Sequence, residues 1–446
     1  MEYVIQGAQL ILSLSILVIL HELGHFIPAK LFKTKVEKFY LFFDPWFSLF
    51  KFKRGETEYG VGWLPLGGYV KIAGMIDESM DKEQLKKPAE PWEFRSKPAW
   101  QRLIIMIGGV TVNLILGMVI YAGILFYYGE KYLPNENVKD GIWAISDLAG
   151  EVGLQTGDKV ININGVAPKK FHDIVPEMLY GGTMEIERNG SRMQLEIPED
   201  FIASAIEEGQ MSPMLLPRFP FIISTVPDSS HNASAGLQKG DIIIGVNDLP
   251  IKYVDEFTAF AESHKGEQIN LRIQRDKSEM YVPVQINDKG YIGVIRGMPS
   301  LEQMQELNIY ELNTVEYGLL ESFPAGISKA TNKLTSYVKQ LKLILNPETG
   351  AYKGLGGFGS IGGLFLPTWN WEVFWNITAF LSLILAVMNI LPIPALDGGH
   401  VMFLLYEIIA RRKPHEKVME VSQAVGMILL LLLLVYANYN DIAKLF

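Results

Sequence analysis

The sequence predicts a multi-span α-helical membrane protein, with four transmembrane helices, into which two small, mostly β domains are inserted. Three observations carry that reading. Of the 446 residues 49% are apolar and 20% charged; four segments are long and apolar enough to cross a bilayer; and a run in the middle of the chain, beginning at Gly153, returns at Gly236, 83 residues later. The absence of cysteine removes disulfide scaffolds, thiolate metal sites and cysteine nucleophiles, so any metal must be held by histidine and carboxylate. A net charge of -9 argues against a nucleic-acid partner, because no broad basic face is available to neutralise phosphates.

The four spans fall at about residues 3–28, 103–128, 371–391 and 418–437. They organise the chain into a first transmembrane helix (1–28), a cytoplasmic or re-entrant β loop region (29–101), a second helix (102–128), two β domains (139–215 and 219–300), a surface amphipathic helix with a glycine-rich segment (311–366), a third helix (369–397) and a fourth (418–440). The first span lacks a basic leader and a small-residue cleavage site, so it is expected to stay in the mature protein. Basic residues cluster after the first span (Lys30, Lys33, Lys35, Lys38), before the second (Arg95, Lys97, Arg102) and between the third and fourth (Arg411, Arg412, Lys413, Lys417). The positive-inside rule makes these places cytoplasmic and puts both termini and the long middle segment outside; Trp369, Trp371 and Trp375 fit an outer aromatic belt.

In the repeat, Gly153-Leu154-Gln155-Thr156-Gly157-Asp158 matches Gly236-Leu237-Gln238-Lys239-Gly240-Asp241, and the match continues through Ile161 with Ile244 and Asn164 with Asn247. Each copy carries a hairpin signal, Arg188-Asn189-Gly190 and Arg275-Asp276-Lys277, between alternating apolar residues. The pattern resembles PDZ domains of bacterial membrane and envelope proteases. Such a domain takes a peptide by strand addition, and a spacer or steric shield is the plainer alternative. Residues 311–345 are compatible with an amphipathic helix along the outer membrane surface, which Pro324 would kink or divide. The glycine-rich run from Gly354 to Gly363 lacks the Lys-Ser/Thr and the parallel βα unit of a phosphate cradle, so no nucleotide is expected there.

The first span ends in His21-Glu22-Leu23-Gly24-His25. Residues four apart share a helix face, so His21 and His25 can direct imidazoles to one Zn²⁺, while Glu22, about 100° away, can reach a water as general base. An acid in the middle of a membrane helix costs about 2.5–3.5 kcal/mol on insertion scales, and such residues usually line a functional cavity. Polar residues at a helix end are the bland alternative. A catalytic zinc needs a third protein ligand. His172, His231 and His264 fall in the outer region and His415 in a charged turn, which leaves the end of the third span, from Asn389 to His400. Two prolines unwind the chain there, and Asp397 is assigned as the third ligand, with His400 as its rival and a helix N-cap as its competing role.

HELGH, Pro65-Leu66-Gly67-Gly68-Tyr69-Val70-Lys71, the tandem β domains, and Asn389 with Pro392-Ile393-Pro394-Ala395-Leu396-Asp397-Gly398-Gly399, in this order over nearly the whole chain, resemble the site-2 protease family, in particular its RseP-like zinc metalloproteases. The resemblance implies a peptidase of the bacterial inner membrane that cuts transmembrane helices within the bilayer after another protease has trimmed the outer domain. Its implied partners are the lipid bilayer and membrane substrates such as anti-sigma factors or remnant signal peptides. It implies His21, His25 and Asp397 as zinc ligands, Glu22 as general base, and Asn389 as a residue that helps to hold substrate.

The loop after the first span alternates over Phe50-Lys51-Phe52-Lys53 and Tyr59-Gly60-Val61-Gly62-Trp63 around Arg54-Gly55-Glu56, and continues as an extended piece. A helix hides its amides in its own hydrogen bonds, and a β edge near the metal can exchange those bonds for strand pairing. Gly67, Gly68, Tyr69 and Val70 are therefore expected to bind substrate, a membrane re-entrant β element being implied by the resemblance and a plain hairpin being the alternative. Two competing functions remain: a membrane-tethered PDZ scaffold, which has no need of the zinc residues, and a zinc peptidase acting on soluble peptides, which would carry HExxH outside a span.

Overall fold

A computed structural model describes residues 2–65, 67–75, 88–207 and 213–444. The chain divides into two compact units: Met1–Gly129 with Glu316–Lys342 and Gly354–Phe446, and Glu130–Val315 with Leu343–Lys353.

The first unit is built on long helices: α1 (Glu2–Leu31), α2 (Ala99–Tyr128), α3 (Leu319–Leu345, which ends in the second unit), α4 (Trp371–Ile390), α5 (Asp397–Ala410) and α6 (Glu416–Ala443). Among the described residues α1, α2, α4 and α6 are long and apolar enough to cross a membrane. The first two have 30 residues each, roughly 45 Å at 1.5 Å per residue, against a hydrocarbon core of about 30 Å. Helix α1 continues three residues beyond the expected end at Pro28. It runs on through Pro28 to Leu31, because a proline near a helix end removes only one bond, here to the Gly24 carbonyl.

Helix α2 packs against α1, α4 and α5. Glycines make the first crossing close: a Cβ on Gly108 would lie 1.9 Å from the Gly24 oxygen, the carbonyl that Pro28 leaves without a helical donor. Polar side chains join the spans, with Thr378 Oγ1 donating to Ser13 Oγ at 3.0 Å and Ser382 Oγ to the Asn113 carbonyl at 2.7 Å. Small side chains and short hydrogen bonds of this kind are what holds helices together where lipid is as apolar as leucine.

Pro324 neither breaks nor divides α3. It sits in the second turn, where the missing donor costs one bond to Leu320. The face packed inward is the small-residue row Ser322, Gly326 and Ala330, and Gly326 lies so near α2 that a Cβ would meet the Ala122 nitrogen at 2.5 Å. Leu320 is 85% exposed, and Phe323 and Ile327 are also exposed.

Between α1 and α2 lies a four-stranded sheet: β1 (Val36–Leu41), β2 (Phe43–Arg54), β3 (Thr57–Leu64) and β4 (Tyr69–Ile72), in the order β2-β3-β1-β4. The β2–β3 hairpin closes from Arg54 to Thr57 around Gly55, whose φ is +63°. Strand β1 is inserted in the middle, parallel to β3 and antiparallel to β4. Among the described residues β4 pairs on one side only, which makes it an edge.

The second unit holds the sequence repeat as a structural one. The first copy has strands Lys159–Ile163, Gly182–Arg188 and Ser191–Ile197 in order around Val160, Met184 and Ile186. The second has Ile242–Val246, Gln268–Arg275 and Ser278–Gln285 in the same order, extended by Phe221–Thr225 and Ile295–Gly297, around Ile243, Leu271 and Ile273. The buried Asp158 pairs with Arg188 at 2.7 Å and accepts from the Gln155 amide at 2.8 Å; Asp241 does the same with Arg275 at 2.6 Å and the Gln238 amide at 2.8 Å. Both hairpins turn on two residues with positive φ, Asn189-Gly190 and Asp276-Lys277, as a tight hairpin twist requires. The main segment of the unit begins and ends on one ladder, Glu130–Tyr132 antiparallel to Asn313–Val315, with Glu130 opposite Val315.

The glycine-rich run serves a carboxylate of its own chain: the amides of Gly357 and Ser360 each donate to Asp441 of α6 at 3.0 Å.

Candidate metal centre

Helix α1 presents His21 and His25 one turn apart, in T-shaped contact with ring centroids 4.9 Å apart. Asp397 arrives from a distant part of the chain. After α4 stops at Ile390, the turn through Pro392 and Pro394 forces Ala395 to a φ of +93° and starts α5 at Asp397 itself. Leu396 is the N-cap, so Asp397 stands in the first turn and its carboxylate is free of the capping role. The two glycines that follow let α5 begin against the turn: a Cβ on Gly398 would meet the Leu391 oxygen at 2.0 Å, and one on Gly399 the Pro394 Cα at 2.6 Å.

The three potential ligands converge. His21 Nε2 and His25 Nε2 each lie 3.3 Å from Asp397 Oδ2, and 3.2 Å from one another. Ligands about 2.0–2.1 Å from a tetrahedral zinc stand roughly 3.3–3.4 Å apart along each edge, so this triangle has the size of one face of such a site. Asp397 Oδ2 is buried and makes no conventional hydrogen bond, which also fits a ligand atom. Among the described residues these three are the one group of histidine and acidic side chains close enough to share a metal ion.

A cavity of about 770 Å³ opens on the triangle and is lined by His21, Glu22, His25 and Asp397 on one side. Strand β4 forms another wall through Tyr69, Val70 and Lys71, preceded by Gly68. Gly68 is close to α1: a Cβ there would lie 2.6 Å from Val18 Cγ1 and 3.4 Å from Glu22 Cγ. The Tyr69 hydroxyl donates to Asp44 at 2.8 Å; burial, then that carboxylate, hold the phenol well above its usual pKa, so it stays neutral.

Two expected substrate contacts do not reach this wall. Gly67, with a φ of +145°, turns its open side to the Phe43 ring at 3.1 Å, and Asn389 is half-buried in the last turn of α4; neither lines the cavity. His400 does line it, but its Nε2 lies 3.0 Å from Gln423 Nε2 of α6, outside the metal-binding group. The other histidines are elsewhere: His172 beside Asp173, His231 at the Gln285 carbonyl, His264 stacked on Phe260, and His415 at the start of α6.

Sequence reasoning missed the contribution of α2. His25 Nδ1 lies 2.8 Å from the Ile105 carbonyl, and His21 Nδ1 lies 3.1 Å from the Asn113 carboxamide. Between them Gly109 leaves room for both rings, since a Cβ would come within 2.4 Å of His25 Nε2 and 2.7 Å of His21 Cε1. A glycine pair followed by a buried asparagine in an otherwise apolar span is the signal that could have found it.

Residues 9–433 match the profile of peptidase family M50. The chain belongs to that family. It is similar to the Regulator of sigma E protease of Haemophilus influenzae, 28% identical with 98% of each chain covered, and to the Regulator of sigma-E protease RseP of Salmonella typhimurium, 27% identical with 98% of each covered. A protein named as a zinc metalloprotease from Thermotoga maritima is 27% identical over 97% of this chain and 98% of its own. This M50 peptidase is thus a zinc-dependent membrane metalloprotease of the site-2 type, which hydrolyses peptide bonds within transmembrane segments. The scaffold reading has no place for such an activity, and the reading as a peptidase for soluble peptides is set aside with it.

Proposed function

We propose that His21, His25 and Asp397 hold the zinc of this M50 peptidase and that Glu22 is its general base. The observation that carries the assignment is the 3.2–3.3 Å triangle of ligand atoms facing a cavity shared with Glu22. Zinc, when bound, makes water acidic enough to attack near neutral pH and draws electron density from the scissile carbonyl. Glu22 takes the proton of the attacking water and returns it to the leaving amine. Strand β4, which among the described residues has a ladder on one side only, accepts the substrate as an added strand, which exposes an amide that a helix would keep in its own hydrogen bonds. Asn389 is half-buried and off the cavity wall, and would bond the substrate backbone only once an extended chain lies across the end of α4.

The clusters of basic residues support an orientation in which the zinc lies toward the cytoplasm and both termini and the two β domains lie outside, in a bacterial inner membrane. The repeat supports a PDZ-like assignment for 139–215 and 219–300, acting on access to the site. Relatives whose names tie them to sigma E support a membrane-bound anti-sigma factor as substrate, with remnant signal peptides as a second class.

The test combines zinc analysis of purified protein with cleavage of a panel of model transmembrane segments. Glu22→Gln is expected to keep zinc and lose about 10²- to 10⁴-fold in turnover, whereas Asp397→Ala is expected to lose the metal. Full zinc occupancy at unchanged affinity in Asp397→Ala would remove that ligand, and turnover near the parent level in Glu22→Gln would remove the base.

A further inference from the structure

Helix α2 meets the two histidines along a single face. Ile105, Gly109 and Asn113 are spaced four apart and therefore stand above one another. The first offers its carbonyl to His25 Nδ1 at 2.8 Å, the second leaves a gap that the imidazoles fill, and the third brings its carboxamide to 3.1 Å from His21 Nδ1. Asn113 is fully buried, and its backbone oxygen is fixed from α4 by the Ser382 hydroxyl at 2.7 Å.

One detail of this arrangement is unbalanced. The carboxamide turns Nδ2 to His21 and leaves Oδ1 buried without a hydrogen-bond partner. The two ends of an amide are nearly indistinguishable in shape and are told apart by their hydrogen bonds. His21 directs Nε2 at Asp397 and His25, so Nε2 is the atom that would meet a metal. An imidazole that gives Nε2 to a metal carries its proton on Nδ1, and the group facing Nδ1 must accept it. His25 already has such an acceptor in the Ile105 carbonyl. For His21 the acceptor at hand is Asn113 Oδ1, which a half-turn of the carboxamide brings to the ring.

We propose that Asn113 is the positioning residue of His21: in the zinc-loaded enzyme its Oδ1 accepts the Nδ1–H of His21 and fixes the tautomer and ring angle of that ligand. Together with Ile105 it makes α2 the orienting surface for both histidines. The inference rests on the assignment of His21 to zinc.

Its test is the zinc affinity of the full-length protein, measured by competition with a chelator, for the parent, Asn113→Leu, Asn113→Asp and His21→Ala. Leucine fills nearly the same space and cannot accept; aspartate accepts and cannot donate. Asn113→Leu is expected to bind zinc about 10- to 100-fold more weakly, with the thermal transition of its metal-free form unchanged, and Asn113→Asp to stay within a few-fold of the parent. If Asn113→Leu does not fold, Asn113→Asp decides alone: retention supports acceptance, and loss of zinc in a folded protein overturns it. Parent-like affinity in Asn113→Leu would also overturn the proposal. Loss of zinc in His21→Ala alongside that result would leave the metal assignment standing, whereas retention of zinc in His21→Ala would remove the assignment itself.

Discussion

At Gly109 a single hydrogen in place of a methyl group decides whether two imidazoles fit against a helix. A Cβ there would lie 2.4 Å from His25 Nε2, far inside any normal contact, and overpacking of this kind costs about 1–3 kcal/mol even where neighbours give way. Gly109→Ala is therefore expected to push the rings out of line and weaken zinc binding and turnover together. Gly123, on the same helix with nothing within 4 Å of its Cβ position, is the control: Gly123→Ala is expected to leave both unchanged. Chelator competition and turnover on one model substrate check the pair, and equal behaviour of the two variants would refute the packing argument. The three residues of the triangle were readable from the chain, because His21 and His25 obey helical spacing and Asp397 was an acid at a suitable depth. Gly109 and Asn113 were not, since their partners lie some eighty or more positions away and only the crossing of α1 and α2 brings them together. Asn389 was carried over by resemblance, and its place in the last turn of α4 leaves it off the cavity wall.

Among the elements, β4 has four residues and, among the described residues, a ladder on one side only. A strand this short at a sheet edge would ordinarily be a protected one; here it faces a cavity that holds Glu22 and the metal-binding triangle. Val70→Pro removes one of its backbone donors, and with a hydrogen bond contributing about 1 kcal/mol turnover is expected to fall roughly fivefold while zinc content holds. Substrates given Gly or Pro beside the scissile bond are expected to be cut faster, since unwinding is eased by about 1 and about 3 kcal/mol respectively. Steady-state rates on paired substrates measure both, and indifference to helicity together with a silent Val70→Pro would rule out strand presentation. The alternation of residues 50–63 predicted the hairpin, but not that β1 would slip between β3 and β4, because strand order depends on non-local pairing. A similar limit applied to Arg188 and Arg275. They were quoted as turn signals, and they also reach back to Asp158 and Asp241, contacts that only the folded repeat brings into range.

For the molecule as a whole, hydropathy gave the four long helices within a few residues, and the repeat gave the second unit its internal plan. The ends of that unit were less legible: its main segment begins at Glu130 and closes at Val315, with Leu343–Lys353 joining it from further along the chain, wider than the 139–300 that the motifs bracket, because the closing ladder is made of three-residue strands with no alternation to detect. Since Glu130 and Val315 are paired neighbours, replacing residues 130–315 by a short Gly/Ser linker should let the remaining spans assemble. Such a variant is expected to cut short transmembrane substrates at a rate near that of the parent and to lose discrimination against bulky outer domains. Loss of activity on every substrate, in protein that still binds zinc, would show that the inserted unit takes part in the chemistry.

The same pairing sets a clock during synthesis. His25 leaves the ribosome roughly 370 residues before Asp397, so at about 5–20 residues per second the interval is roughly 20–70 s. Throughout it, the helix with the two histidines can already sit in the bilayer while the inserted unit, closed on its own ladder, folds as a separate body. With the proposed ligand set, a half-made chain is thus a protease without its third ligand. On that assignment hydrolytic power is conferred only when the last helices arrive, after the whole inserted unit has been made.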